Sequence, residues 1–399
     1  MNVLRLNTGL RTPSFCSSAS KNSESETQHQ KQHLPSYTEV EKLSAGLASD
    51  DKARLAVVNA FTYSPEQLLS KYLVRRIIGF GSNGVVLAAL LNMQTPVAIK
   101  IIYKRKQRHS KPCPDVEALK HLNALNCPGA LKYIDDWQDA FHFYLVTELF
   151  GSDWLASSPV ISNTAPLFPV TFTTPNHRIA NGAAEANTMI SLPFFAGSCD
   201  LWAWAVLHRT HAWESSGHNH SLLPIVPIKE IIKQTASALA GMHSRGFYHG
   251  DVKLENILIQ SIGGGVAIRL ADFGHTQHIS LGFDKYGTRE ISPPEMLWDS
   301  PYKMQELDGR CIDVFALGMM LYRLLNQSGK LPRAAKSVNA GMVGYHDLLK
   351  INGGLYPFGG LDDTDVEDLL MLNSMCMVDP NQRITMEQIE KSSWLQNIC

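Results

Sequence analysis

The sequence predicts an α+β fold with its strands near the start of the chain and its helices later. Strand-like apolar runs surround a glycine-rich stretch at residues 79–84 and recur at 97–100 and 143–150. Apolar residues recur at helical spacing over residues 115–125, 228–243 and 313–324. With 399 residues, 44% of them apolar, and a formal net charge of -1, the chain can bury a large core.

The first element is a glycine-rich turn between two strands. The stretch Arg75-Arg76-Ile77-Ile78 enters the run Gly79-Phe80-Gly81-Ser82-Asn83-Gly84. Because glycine has no Cβ, backbone N–H groups in such a loop can approach phosphate oxygens closely. The same glycines open dinucleotide-binding folds, but a helix follows there, whereas here the chain continues as a strand to Leu90.

The next elements place a lysine in a strand and an acid on a helix. Lys100 ends the apolar run Val97-Ala98-Ile99. If it has no functional role, it would be a surface lysine on an edge strand. A helix with Val116, Leu119, Leu122 and Leu125 on one stripe follows Pro114 and carries Glu117 in its first turn. Glu117 could pair with Lys100, or it could be a solvated glutamate favoured by the helix dipole.

The most specific pattern is a pair of short motifs in the middle of the chain. Asp251-Val252-Lys253-Leu254-Glu255-Asn256 is followed by Asp272-Phe273-Gly274. Together they supply a base, a cation and the carboxylate and amide oxygens that Mg²⁺ prefers. Phosphoryl transfer needs all of these groups.

In this order the motifs resemble those of the eukaryotic protein kinase family in its Ser/Thr-directed form. The resemblance covers residues 72–394. It implies a two-lobe fold in which the N-lobe, at about 72–149, is small and β-rich and includes helix C. An insertion would occupy about 151–197, and a larger, mainly helical C-lobe about 198–394.

The resemblance also implies an ATP site. Val86, Ala98 and Leu258 would sandwich the adenine, with Thr147 behind it as gatekeeper. The whole implied set is Gly79, Phe80, Gly81, Ser82, Asn83, Gly84, Val86, Ala98, Lys100, Thr147, Glu148, Phe150, Asp200 and Leu258. Backbone groups of Glu148 and Phe150 would bond the base, and Asp200 would bind the ribose.

The catalytic roles implied by the resemblance fall on the central motifs and on the strand lysine. Asp251 would be the base and Lys253 would hold the transferring phosphate. Lys100, paired with Glu117, would bind the α and β phosphates. Asn256 and Asp272 would bind Mg²⁺.

Further motifs extend the resemblance toward the C-terminus. Pro293-Pro294-Glu295 resembles the end of an activation segment, and Arg383 matches the arginine that pairs with its glutamate. One position departs from the common pattern: Gly250 stands where many kinases have the arginine that receives an activation-loop phosphate. Activity is therefore expected to depend little on phosphorylation of that loop.

The remaining segments are expected to lie outside the folded domain. Residues 1–60 are predicted to be a disordered arm, and 61–71 a linker or short helix. The insertion at 151–197 is rich in Pro, Thr, Ser and Asn, which favours a disordered loop that could dock a partner.

Composition indicates a soluble intracellular enzyme. No apolar run is long enough to span a membrane, and the near-neutral charge gives no sign of nucleic-acid binding. The seven cysteines are scattered, which favours a reducing compartment and no zinc site. The cytoplasm is the expected location, with the nucleus as the alternative.

Three function classes follow from these motifs. The first is an active Ser/Thr protein kinase that uses ATP and Mg²⁺ on protein substrates. The second is a small-molecule kinase of the aminoglycoside or choline type, whose catalytic loop often reads His-Gly-Asp. Lys253, Asp272-Phe273-Gly274 and Arg383 belong instead to the protein-kinase pattern. The third is a nucleotide-binding pseudokinase scaffold, although no catalytic position is lost.

Overall fold

The computed structural model describes residues 46–104, 112–152, 167–174, 188–194, 199–215, 222–283 and 287–396. These residues fall into two units. Unit 1 contains residues 46–104, 137–144, 167–174 and 188–194. Unit 2 contains residues 112–136, 145–152, 199–215, 222–283 and 287–396.

A seven-stranded sheet forms most of unit 1, with strand order β4-β5-β3-β2-β1-β7-β6. The strands are β1 (Tyr72–Phe80), β2 (Gly84–Leu91), β3 (Thr95–Tyr103), β4 (Tyr133–Gln138), β5 (His142–Glu148), β6 (Leu167–Thr174) and β7 (Thr188–Phe194). β1, β2 and β3 form an antiparallel meander. The boundary between the units falls within β4 and β5.

The two faces of the β2–β3 hairpin differ in burial. Val85, Leu87, Val97, Ile99 and Ile101 are fully buried, as expected for β-branched and apolar side chains on one face of a pleated strand. The residues between them point to the other face and are less buried. This second face carries the strand lysine.

Two helices precede the sheet, one of them within the stretch that was predicted to be disordered. α1 (Ser49–Tyr63) buries Ala53, Val57 and Phe61, and it packs against β2, β3 and β6. α2 (Pro65–Lys71) follows it. The predicted disorder is therefore wrong for residues 49–60, because apolar side chains at helical spacing give this stretch a face to bury. Residues 1–45 lie outside the described part of the chain.

Two stretches of the insertion also form regular structure. β6 pairs antiparallel with β7, and β7 pairs in parallel with β1 through Phe194 and Ile77. The predicted disorder is wrong for these stretches. Both are rich in Thr, Phe and other residues that favour strands, which the average composition of the insertion concealed. The rest of the insertion from 153 to 198 lies outside the described residues.

Unit 2 is larger and mainly helical. Its helices are α3 (Pro114–Ala124), α4 (Leu201–Ser215), α5 (Ile225–His243), α6 (Gly309–Leu325), α7 (Arg333–Asn339), α8 (Tyr345–Lys350), α9 (Val366–Met375), α10 (Met386–Glu390) and α11 (Ser393–Gln396). Two short antiparallel pairs join β8 (Phe247–Tyr248) to β11 (Gln277–His278) and β9 (Ile257–Ile262) to β10 (Gly265–Leu270).

The core of unit 2 lies around α5 and α6. α6 is buried along most of its length, and the Asp308 side chain caps its first turn by accepting from the Arg310 N–H. α5 packs against α6, α10 and β10. The α+β fold class, with a β-rich unit and a larger helical unit, is confirmed. One element differs from the predicted division, because α3, the predicted helix C, groups with unit 2. No helix among the described residues is both long and apolar enough to cross a membrane.

Candidate active site

Asp251 lies at the centre of a hydrogen-bonded triangle in unit 2. It follows β8 and precedes a short 3₁₀ helix, Leu254–Asn256, and only 4% of its surface is exposed. Lys253 Nζ lies 2.7 Å from Asp251 Oδ2 and donates to Thr288 Oγ1 at 2.9 Å. Thr288 in turn donates to Asp251 Oδ1 from its hydroxyl at 2.7 Å and from its backbone N–H at 2.9 Å. Asp251, Lys253 and Thr288 are thus brought together.

This triangle keeps the Asp251 carboxyl ionised. Burial alone would raise the pKa of Asp251, but the hydrogen bond and charge of Lys253 and the hydroxyl of Thr288 outweigh it and hold that pKa below its usual range. An ionised carboxylate that accepts several hydrogen bonds is a group that can take a proton from a nearby hydroxyl.

The backbone of the same loop is fixed by a buried carboxylate at the start of α6. Asp313 accepts from the N–H of His249 at 2.8 Å, from the N–H of Gly250 at 2.9 Å and from His243 Nε2 at 2.9 Å. His249 is fully buried. The loop therefore has little freedom to move Asp251.

Asn256 joins Asp251 to the loop that carries Asp272. Its Nδ2 donates to the Asp251 backbone oxygen at 2.8 Å and to Asp251 Oδ2 at 3.0 Å. The backbone carbonyl oxygen of Asn256 accepts from the Ala271 N–H at 2.9 Å. With Nδ2 used in this way, the side-chain oxygen Oδ1 is the atom that could bind a cation. No group of three or more His, Cys, Asp or Glu side chains within the described ranges could hold a metal ion alone. One Asn and one Asp suit Mg²⁺, which usually keeps several waters and takes other ligands from phosphates.

α3 presents a different acid from the one that the sequence predicts. Asp115 is 4% exposed and its Oδ1 accepts from the backbone N–H of Phe273 at 2.9 Å, directly after Asp272. Glu117 is half-buried, and its position is two residues further round the helix. Asp115, Leu119 and Leu122 follow the i, i+4, i+7 spacing of the buried face, and this signal could have identified Asp115 from the sequence.

In unit 1 the strand lysine lies beside two residues predicted to contact adenine. Lys100 is paired with Val86 across β2 and β3, and Ala98 lies two residues away on the same face. All three are half-buried. A cationic head and two small apolar side chains therefore share one face of the hairpin.

The glycine-rich loop closes β1 onto β2. Gly81 N–H donates to Gly84 O at 2.9 Å, and Asn83 O accepts from Tyr103 N–H at 3.0 Å. Gly84 is required by the fold, because a Cβ there would lie 2.1 Å from the Ile101 carbonyl oxygen. Nothing in the described structure lies within 4 Å of a Cβ built at Gly79 or Gly81, so only a ligand near the backbone would require glycine there.

Within this loop the neighbours of the glycines differ in exposure. Phe80 ends β1 and is half-buried, whereas Ser82 is exposed and its Oγ lies 3.4 Å from Asn83 Oδ1. The polar side chains are thus at the tip of the turn.

The predicted hinge residues lie at the end of β5 in unit 2. Thr147 is buried and donates to the Glu148 carbonyl oxygen at 3.1 Å. Glu148 N–H donates to Lys132 O at 3.0 Å, and the Phe150 ring lies 4.9 Å from the Arg269 guanidinium. Both backbone groups of Glu148 are therefore engaged, and only the second lone pair of its carbonyl oxygen could accept from a ligand.

The other two predicted nucleotide contacts are also neighbours. Asp200 and Leu258 form an antiparallel bridge. Asp200 Oδ1 also accepts from the N–H of Ala203 at 2.8 Å, so the carboxylate caps α4.

A buried ion pair fixes the end of the activation segment, the stretch from Asp272 to Glu295. Arg383 Nη1 and Nη2 lie 2.7 and 2.8 Å from the two Glu295 carboxylate oxygens. Both side chains are almost fully buried. The parallel, two-pronged geometry matches the predicted pairing of these residues.

Comparison with known proteins agrees with this geometry. Residues 206–395 match the family model of the protein kinase domain. Over these residues the chain is therefore similar to the protein kinase family. It is 30% identical over 168 residues to the calcium/calmodulin-dependent protein kinase type II alpha chain of Drosophila melanogaster, which covers 41% of this chain and 29% of that protein.

Two further relatives show the same range of similarity. The Aurora kinase of Eremothecium gossypii is 30% identical over 168 residues, 41% of this chain and 41% of the relative. The human serine/threonine-protein kinase ULK3 is 30% identical over 182 residues, 45% of this chain and 35% of the relative. The chain thus spans less than half the length of each of these proteins.

Proposed function

We propose that this protein transfers the γ-phosphoryl group of ATP to serine and threonine hydroxyls of protein substrates. The observation that carries the proposal is the triangle of Asp251, Lys253 and Thr288. It leaves an ionised carboxylate beside a cation and a hydroxyl, which suits the removal of a proton from an acceptor hydroxyl.

In the proposed reaction, the acceptor hydroxyl gives its proton to the Asp251 carboxylate. Its oxygen forms a bond to the γ-phosphorus as the bond from phosphorus to the leaving ADP oxygen breaks. Lys253 would stabilise the charge on the transferring group. Lys100, on the half-buried face of β3, would bind the other phosphates.

Asn256 and Asp272 would hold Mg²⁺, which when bound neutralises charge on the phosphate oxygens. Asn256 Nδ2 donates to the Asp251 backbone oxygen, which remains when the Asp251 side chain is changed. Loss of the Asp251 carboxylate should therefore disturb the metal site less than loss of Asp272. We also propose that Asp115, and not Glu117, is the acid through which α3 positions the Asp272 loop, because it accepts from the Phe273 N–H.

The test is phosphate transfer from labelled ATP to a degenerate Ser/Thr/Tyr peptide library, with kanamycin and choline as rival acceptors. Asp251→Asn should abolish transfer and largely keep Mg-ATP binding, whereas Asp272→Ala should weaken both. Lys391→Ala, which removes an exposed pair with Glu387, is the control.

Phosphoamino-acid analysis should give phosphoserine and phosphothreonine. Phosphotyrosine as the main product, or transfer to a small molecule alone, would contradict the acceptor class. Nucleotide binding without any transfer by the unmodified protein would support the scaffold alternative instead.

A further inference from the structure

Asp272 has an uncommon backbone conformation that its surroundings must maintain. Its φ of 62° and ψ of 74° lie in the left-handed region, which non-glycine residues adopt only where neighbouring contacts hold them. Hydrogen bonds hold the chain on both sides. Before Asp272, Leu270 N–H donates to Gly129 O at 2.8 Å and Ala271 N–H donates to Asn256 O at 2.9 Å. After it, Phe273 N–H donates to Asp115 Oδ1 at 2.9 Å.

Two of these three acceptors come from α3 and the loop that follows it. Asp115 is in the first turn of α3, and Gly129 is five residues beyond the end of that helix at Ala124. The position of α3 therefore decides whether both acceptors reach the Asp272 loop.

The loop after α3 is pressed against α5. A Cβ at Gly129 would lie 2.3 Å from the Ala238 Cβ, and a Cβ at Gly241 would lie 2.8 Å from Pro128 Cγ. Such close approach is open to glycine alone. The loop that follows α3 therefore packs directly against α5.

One side chain, Arg245, fastens α3 to the end of α5. Its Nε donates to Leu125 O at 2.9 Å and its Nη2 to Asn126 O at 3.2 Å, while Nη1 donates to Gly241 O at 2.9 Å. The last carbonyls of a helix have no partner within the helix, and a cation is favoured at this end of the helix dipole. The planar guanidinium reaches both helices at once, as a single ammonium group could not.

We propose that Arg245 is a positioning residue for the metal-binding loop. It holds α3 where Asp115 can accept from Phe273 and Gly129 can accept from Leu270, and these bonds keep Asp272 in its left-handed conformation. The kinetic consequence rests on the proposed function, whereas the structural consequence does not.

Other contacts limit the damage that loss of Arg245 would cause. Asn123 donates from Nδ2 to Leu131 O at 2.9 Å, and its Oδ1 accepts from Tyr133 N–H at 2.9 Å. These bonds tie α3 to the start of β4. Loss of Arg245 should therefore loosen α3 and leave the fold intact.

Hydrogen–deuterium exchange on the full chain tests the proposal without requiring activity. Arg245→Ala should speed exchange in peptides covering 114–126 and, in parallel, in peptides covering 271–276. Arg245→Lys should give an intermediate effect, because it keeps the charge and loses the forked donors. The surface control Lys391→Ala should match the unmodified protein.

A kinetic measurement accompanies the exchange experiment. For Arg245→Ala, KM for Mg-ATP should rise by about five- to tenfold, the size expected from the loss of one ordinary hydrogen bond. Exchange that rises only at 114–126, with 271–276 and KM unchanged, would show that Arg245 merely caps α3 and would overturn the proposal.

A second variant covers the case in which Arg245→Ala does not fold. Asp115→Ala should speed exchange at 271–276 and leave the end of α3, at 121–126, protected. Equal protection of 271–276 in Asp115→Ala and the unmodified protein would also overturn the proposal. Absence of phosphate transfer in every protein would refute the proposed function, and the exchange result would still decide the role of Arg245.

Discussion

Replacement of Gly250 by alanine should destabilise the protein by about 2–4 kcal/mol. Gly250 has a φ of +79°, and a Cβ built there lies 2.6 Å from the carbonyl oxygen of His275 and 3.3 Å from its Cβ. The left-handed conformation alone costs an alanine about 1–2 kcal/mol. Forcing backbone apart in a packed region adds about 1–3 kcal/mol, and the stiffer unfolded chain offsets about 0.4–1 kcal/mol.

Gly341 provides the matched control. Its φ of +70° is similar, but a Cβ there meets no atom of the described structure within 4 Å. Gly341→Ala should therefore show only the conformational cost, about 1 kcal/mol. The difference between the two variants measures the clash with His275.

Urea unfolding followed by circular dichroism gives the two free energies, and thermal unfolding gives a second measurement. A cost for Gly250→Ala within about 0.5 kcal/mol of that for Gly341→Ala would refute the steric argument. If the argument holds, Gly250→Arg should be at least as destabilising. The arginine of related loops then cannot be restored here without a change in the backbone.

Three further predictions concern the site and the activation segment. Lys253→Met should move the acid limb of the kcat–pH profile to higher pH. Without Lys253, burial raises the pKa of Asp251, so the carboxylate becomes protonated at a higher pH as the pH falls. An acid limb at the same pH in both proteins would contradict this. Glu295→Gln should cost about 3–5 kcal/mol in chemical unfolding, since it leaves the buried Arg383 charge without its partner; a cost as small as that of breaking an exposed pair would be evidence against it. Phosphatase treatment and Ser280→Ala should each change kcat less than about twofold, and a tenfold loss in both would show that phosphate orders the segment.

The last of these predictions has support in contacts that need no phosphate. Tyr248 Oη donates to Gly282 O at 3.1 Å, and Ile279 N–H donates to Gly246 O at 2.8 Å. Thr276 Oγ1 donates to His249 O at 3.2 Å. The first part of the activation segment is thus held against the catalytic loop by backbone and neutral side chains. Tyr286, which also carries a hydroxyl in this segment, lies outside the described residues.

The catalytic loop could be predicted from the sequence because its geometry is local. Asp251, Lys253 and Asn256 lie within six consecutive residues between two short strands, so their spacing along the chain almost fixes their spacing in the fold. Thr288 is 37 residues from Asp251 along the chain, so nothing local links the two. The roles of the nucleotide-binding residues stay predictions.

The proposal of Asp115, and not the predicted Glu117, as the acid of α3 has a basis in helix geometry. Residues two apart on a helix point about 200° apart, so Asp115 and Glu117 cannot share a face. The apolar positions Val116, Leu119 and Leu122 place the buried face beside Asp115. The number of residues between Lys100 and α3 does not show which acid lies on the buried face, because the connecting loop can vary in length.

In the insertion a second effect adds to that of the average composition, because each of the two strands contains a proline. A proline lacks the N–H that a ladder needs and normally argues against a strand. Pro169 and Pro193 fall where the β6–β7 register breaks, between the pairs Leu167↔Phe194 and Val170↔Leu192. At this irregularity the residues are not paired in the regular register, so the absent N–H groups of the prolines leave no regular ladder position without a donor. Beyond it the pairing runs regularly to Thr174 and Thr188, so both prolines lie at one irregularity of the ladder and neither ends its strand.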